Sequence, residues 1–281
     1  MKWTTLVAVD ELASEIGSGE LRLLDARFAL MDPPAGRSAY DASHLKDAVH
    51  ADLNRDLSDL QRQGEGRHPL PDAAGFAAKL GEWGIGPRHQ VVVYDAGDGS
   101  MAAARVWWML RLLGHERVAV LDGGLAAWRA QGLAETSEPA SLEAEPAYPA
   151  SFDMSRVATA GEVQSRLGQA PGWLLDARAG ERFRGEIEPI DAVAGHVPGA
   201  VNRPVADNLA AGRFKPARQL RAEIAPLLAA HDPADVILMC GSGVTACHLL
   251  LALEHAGLRG ARVYAGSWSG WISDPSRPIE R

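Results

Sequence analysis

The chain has 281 residues with a formal net charge of −8, and 47% of them are apolar and 23% charged. At about 150 residues per domain the length fits roughly two domains, and the acidic balance argues against a general grip on nucleic acid. Two cysteines can neither staple such a chain nor complete a four-cysteine zinc site, no apolar run nears a membrane span, and Leu6 to Val9 ahead of Asp10 and Glu11 is too short for a signal peptide, so a soluble cytoplasmic protein is expected.

Short runs rich in Val and Leu predict strands at Leu21–Asp25, Val91–Tyr94 and Val118–Leu121, with a helix over Met101–Leu113 between the last two. Residues 135–151, with Pro139, Pro146 and Pro149 and no apolar period, read as an extended linker. It divides an N-terminal domain over residues 1–134 from a C-terminal domain over residues 152–281. The second domain predicts strands at Trp173–Asp176, Val236–Met239 and Arg262–Tyr264, and a helix over Thr245–Ala256 with Leu249 to Leu253 buried. Buried strands alternating with helices make an α/β protein: in each domain a mostly parallel sheet flanked by helices, binding ligands at the carboxyl ends of its strands.

The chain is a duplication. Leu23-Leu24-Asp25-Ala26-Arg27 recurs as Leu174-Leu175-Asp176-Ala177-Arg178, and His44 to Val49 recurs as His196 to Val201. Val118 to Trp128 recurs as Ala261 to Trp271, in the same order. The recurring Trp128, Trp268 and Trp271 read as packing. The nine histidines show no metal spacing, and neither metal nor cofactor is expected.

The copies differ where chemistry would sit. Asp95 in the first aligns with Cys240 in the second, at a strand end ahead of a helix. Gly241 and Gly243 would let backbone N–H groups of a loop through Ser242, Val244 and Thr245 turn inward, and the helix would add its positive end. This suits a nucleophilic thiolate. Cys247, inside the helix pattern, reads as packing. Six positions after Cys240 stands Ala246, and no charge lies between, so the arginine that a phosphatase needs is missing.

Cys240-Gly241-Ser242-Gly243-Val244-Thr245-Ala246, the Leu-Leu-Asp-Ala-Arg block, Gly195 to Asn202 and Gly266-Ser267-Trp268-Ser269-Gly270-Trp271 together resemble the tandem rhodanese-domain sulfurtransferases. The resemblance spans nearly the whole chain and takes in Gly66-Arg67-His68-Pro69-Leu70-Pro71 and Arg105-Val106-Trp107-Trp108. It implies two rhodanese-like domains, the first catalytically silent and the second carrying sulfur as a persulfide on Cys240. It implies a small anionic sulfur donor, a thiol, cyanide or thioredoxin-like acceptor, and Arg178 and Arg182 as donor-binding residues, with Arg184 less clearly placed.

The neutral loop is similar to that of enzymes using 3-mercaptopyruvate, with Ser242 holding a carbonyl or moving a proton. Thiosulfate enzymes of the family carry two basic residues after the cysteine. Against this, Ile190 in Glu188-Pro189-Ile190-Asp191 stands where the mercaptopyruvate enzymes carry a further arginine. The expectation is a 3-mercaptopyruvate sulfurtransferase, with thiosulfate as the alternative donor and a non-catalytic binding or sulfur-carrier module as the alternative class. A proton-transfer role is implied for His44, although Lys46-Asp47 replaces the usual Pro-Gly beside it. His196 would be its structural counterpart, and His68 is a second candidate.

Overall fold

The computed structural model describes residues 3–100 and 102–281, so Met101, at the start of the expected helix, lies outside the described residues. The chain forms two compact units: residues up to Asp59 with Leu70–Asp153, and Leu60–Pro69 with Met154–Arg281.

The first unit is built on β1 (Leu6–Val7), β2 (Leu21–Asp25), β3 (Ala48–His50), β4 (Gln90–Tyr94) and β5 (Val118–Leu121). They lie in the order β1-β5-β4-β2-β3, all parallel. Every residue of β4 and β5 is buried, which is why the central strands read as continuous apolar runs. The expected helix is Ala103–Leu112, with Trp107 and Trp108 buried.

The second unit repeats this plan with β6 (Val157–Ala158), β7 (Leu174–Asp176), β8 (Val201–Asn202), β11 (Ile237–Met239) and β12 (Arg262–Tyr264). Their order, β6-β12-β11-β7-β8, matches the first sheet strand for strand, again parallel. A small antiparallel hairpin of β9 (Leu209–Ala210) and β10 (Arg213–Phe214) is added. Helix Thr245–His255 follows β11 and buries Leu249 to Leu253 as expected. Trp268 and Trp271 are fully buried and Trp128 nearly so. Among the described residues no helix is long and apolar enough to cross a membrane.

The expected boundaries need correction at two places. Residues 135–151 are a strap on the first unit rather than a free linker. Thr136 pairs with His44, Glu145 N–H donates to Gly81 O at 2.9 Å, and Tyr148 N–H donates to Ala77 O at 3.0 Å. Tyr148 is buried and anchors the strap. Prolines deny this stretch a regular element but leave its other backbone groups free to bond to the domain it crosses. The second correction is Leu60–Pro69, expected in the first domain and built into the second unit. Arg67 N–H donates to Ser269 Oγ at 2.9 Å, and the Ser273 hydroxyl donates to Gly64 O at 3.1 Å. Gly66, with φ of +95°, passes so close that a Cβ would lie 2.5 Å from Gly266 O.

Candidate active site

Cys240 directly follows β11, and only 1% of its surface is exposed. Its own N–H donates to Ser267 Oγ at 3.0 Å, and Gly243 N–H donates to its Sγ at 3.1 Å. The chain reaches that bond by turning at Gly243, where φ is +77° and a Cβ would stand 2.3 Å from Ala265 O. No other residue fits there. Trp268 N–H donates to Cys240 O and Ser269 N–H to Gly241 O, each at 2.9 Å, tying the loop to the turn after β12. Ser267 holds φ of +50° while completely buried, and its hydroxyl donates to Tyr264 O at 2.9 Å and lies 3.9 Å from Sγ. Cys247, one turn into the helix, donates through Sγ to Gly243 O at 3.2 Å and so braces the loop from behind.

The first unit shows what the cysteine replaces. Asp95 Oδ1 accepts from Gly97 N–H at 3.1 Å and Gly99 N–H at 3.0 Å. A carboxylate thus fills its own loop. The outer framework is retained, since Leu125 N–H donates to Asp95 O and Ala126 N–H to Ala96 O, as Trp268 and Ser269 do in the second unit.

The segment Leu60–Pro69 brings two side chains to the Cys240 loop. His68 Nδ1 lies 2.9 Å from Ser242 Oγ, both residues buried. Arg67 Nη1 donates to Asp191 Oδ1 at 2.6 Å. From the other side Arg182 donates through Nη2 to Asp191 Oδ2 at 3.0 Å and to Glu188 Oε1 at 2.8 Å. Burial pushes the Glu188 carboxyl up, but the Arg182 guanidinium and the N–H groups of Asp191 and Ile190 outweigh this and hold it below its ordinary range. A Cβ on Gly241 would meet Arg67 Nη2 at 3.3 Å and Arg182 Nη1 at 3.6 Å, so both guanidinium groups border the loop.

Three further expected site residues have partners of their own, and Arg178 also reaches Glu188, whose Oε2 lies 3.7 Å from its Nη1. Arg178 is buried and bonded to Asp176 at 2.7 Å and to Gly195 O at 2.8 Å, with its guanidinium over Trp268. Arg27 repeats this in the first unit, bonded to Asp25 and to Ser43 O, each at 2.6 Å. The same pair is thus present in the unit where Asp95 stands in place of the cysteine. Arg184 is exposed and paired with Glu186. His44 is engaged within the first unit: its ring nitrogens lie 2.8 Å from Tyr40 O and 3.0 Å from Glu138 O, and its ring stacks on Tyr40. His196 repeats the arrangement, stacked on Phe183 with Nδ1 2.8 Å from Phe183 O. His44 and His196 thus hold matching places in the two units. Asp47, with φ of +61°, adopts the turn that Gly199 makes in the second copy, so replacing Pro-Gly leaves the loop path intact.

Arg67 was not among the expected site residues. It lies in the Gly66-Arg67-His68-Pro69-Leu70-Pro71 motif of the resemblance, within a turn-rich, polar run at residues 60–69 with no strand or helix period, which marks a long loop without saying where it goes.

A model of the rhodanese-like domain matches residues 8–131 and again residues 159–274. A relative from Pseudomonas aeruginosa, named "Probable 3-mercaptopyruvate sulfurtransferase", is 49% identical over 99% of both chains. The human 3-mercaptopyruvate sulfurtransferase is 37% identical over 89% of this chain and 84% of its own length. Among solved structures, the 3-mercaptopyruvate sulfurtransferase from Leishmania major superposes with a TM-score of 0.83 at 32% identity, covering 95% of this chain and 73% of that one.

Proposed function

The chain belongs to the rhodanese family, and on that premise we propose that it moves a sulfur atom from 3-mercaptopyruvate to a thiol or cyanide acceptor through a persulfide on Cys240. The observation that carries this reading is the buried Cys240 sulfur, held by the Gly243 N–H, beside a Ser242–His68 pair and the Arg182 guanidinium.

In the first half-reaction the Cys240 thiolate attacks the donor sulfur. The carbon–sulfur bond breaks, and its electron pair leaves on carbon as the enolate of pyruvate. A proton then reaches that carbon, leaving pyruvate and the Cys240 persulfide. Ser242 Oγ and His68 Nδ1 form a hydrogen-bonded pair that can relay this proton. In the second half-reaction an acceptor thiolate takes the outer sulfur and Cys240 leaves as thiolate. The Gly243 N–H is a fixed donor toward sulfur, stabilising the anion in both halves.

The proton route favours 3-mercaptopyruvate over thiosulfate. Thiosulfate releases sulfite, which departs with its charge and needs no proton. The residues following Cys240 also carry no cation for a dianion. Intact-mass spectrometry of the reduced protein after brief exposure to each donor tests the reading. The expected result is a gain of one sulfur atom from 3-mercaptopyruvate, absent in Cys240→Ser. An equal gain in Cys240→Ser, or none from either donor, overturns it. A gain from thiosulfate alone keeps the persulfide and reassigns the donor.

A further inference from the structure

We propose that the first unit holds a second ligand site, a cavity at the amino ends of β2 and β3 that binds an α-amino acid with an apolar side chain as its zwitterion. The site lies wholly within the first unit and does not depend on the reading of Cys240.

The cavity measures about 270 Å³ and is walled by residues 17–19, by Lys46 and Asp47 ahead of β3, and by residues 141–143 of the strap. That volume is at the low end for small-molecule pockets and suits a ligand of amino-acid size rather than a nucleotide. The strap forms a wall because Gly84 lets it approach. At φ of +67°, a Cβ on Gly84 would stand 2.7 Å from Glu143 O and 3.3 Å from Leu142 Cβ. Arg22 closes the same corner, with Nε donating to Gly84 O at 2.7 Å and Nη1 to Gly19 O and Leu21 O at 2.9 Å each.

Charge decides the class of ligand. All three bonds of Arg22 go to carbonyl oxygens, so no carboxylate holds its guanidinium and Nη2 is left over. Burial, with the Arg88 charge adding to it, pushes this guanidinium below its ordinary range although Glu145 and Asp47 pull the other way. A bound carboxylate would relieve that cost. Lys46, Asp47 and Glu143 make no side-chain hydrogen bond or ion pair among the described residues. The cavity thus presents two cations and two carboxylates that do not neutralise one another by contact. A ligand with one carboxylate and one ammonium answers both pairs, whereas an anion or a cation alone faces a like-charged pair unmet. Leu21, Leu23 and Leu142 supply an apolar wall for the side chain.

The second copy lacks these charges. The fully buried Trp173 stands at the place of Arg22, and Pro198-Gly199 at that of Lys46-Asp47. Both copies make the same left-handed turn, at Asp47 with φ of +61° and at Gly199 with φ of +78°. Glycine holds such a turn at less cost, so the fold itself does not call for a carboxylate there.

Isothermal titration calorimetry of the whole protein with L-leucine tests the site. Two probes each carry half of its charge: isocaproate has the carboxylate alone and isoamylamine the ammonium alone. L-Leucine is expected to bind once per chain with millimolar or tighter affinity, and each half-charged probe about tenfold or more weakly than that. Lys46→Pro combined with Asp47→Gly installs the second copy's turn, so this variant should fold, and it is expected to weaken L-leucine by about tenfold or more. Glu143→Gln, on the exposed strap, should weaken it as well. Alkylation of Cys240 by iodoacetamide should proceed at the wild-type rate in both variants. No saturable binding of L-leucine to the wild type, or binding undiminished in both variants, would overturn the site. Isocaproate or isoamylamine binding as tightly as L-leucine would overturn the zwitterion.

Discussion

His68 Nδ1 and Ser242 Oγ lie 2.9 Å apart although 174 residues separate them in the chain. The contact exists because Leu60–Pro69 is built into the second unit. Ser242 sits two residues past Cys240, so this bond brings a titratable ring to the reacting loop.

If the pair relays a proton, removing either member should cost about the same. His68→Ala and Ser242→Ala are each expected to lower kcat for 3-mercaptopyruvate by about a hundredfold, within the usual range for acid–base groups. The double variant should be little worse than the poorer single one, because the two act as a unit. Steady-state kinetics of the three variants measures the coupling, and strictly multiplicative losses would show that they act separately.

His44 predicts the opposite pattern. His44→Ala removes the ring that stacks on Tyr40 and leaves Tyr40 O and Glu138 O without their partner. A loss of about 1–3 kcal/mol in stability is expected, with kcat per folded molecule unchanged. Urea unfolding and kinetics on the same preparation separate the two effects. A fall in kcat with stability intact would return His44 to the chemistry.

Gly243→Ala should damage both the loop and the fold. The residue would have to hold φ of +77° and place its Cβ 2.3 Å from Ala265 O. The left-handed backbone alone costs about 1–2 kcal/mol, and relieving the clash moves the N–H away from Sγ. Thermal unfolding should show the loss, and alkylation of Cys240 should change in rate. Gly97→Ala in the first unit, with open space around its Cβ position, is the control.

The first unit should lose stability in mild acid. Burial, with Arg22 and Arg88 adding to it, pushes His89 down to about 4. Burial also pushes His115 down, beneath the strap whose Tyr148 hydroxyl lies 2.9 Å from its Nδ1. The unfolded chain takes up these protons near the ordinary histidine value, so below it the unfolded state binds more protons than the folded one. The contribution is fully present above about pH 6.5 and is lost as pH falls toward 4. Urea unfolding at pH 7 and pH 5 should differ by about 2 kcal/mol on account of His89 alone. His89→Gln should flatten that difference, and an unchanged difference would remove His89 as its source.

The duplication, the strands and the position of Cys240 were legible in the residues themselves. A buried parallel strand must be a run of apolar side chains, and a turn such as that at Gly243 must be glycine. Both constraints are local, so they are written where they act. The matched blocks also carried the second copy's plan over to the first, down to Asp95 in place of the thiol. What each charged residue does was not legible in the same way. Asp176 and Arg178 look alike on paper whether the arginine meets a substrate or braces a strand, and the buried bonds to Asp176 and Gly195 O appear only in the folded chain. The path of Leu60–Pro69 was less legible still. A turn-rich segment has no period, and its destination depends on partners such as Asp191, Ser242 and Ser269, more than a hundred residues away. The tertiary structure therefore decided that Arg67 and His68 border the loop of the cysteine.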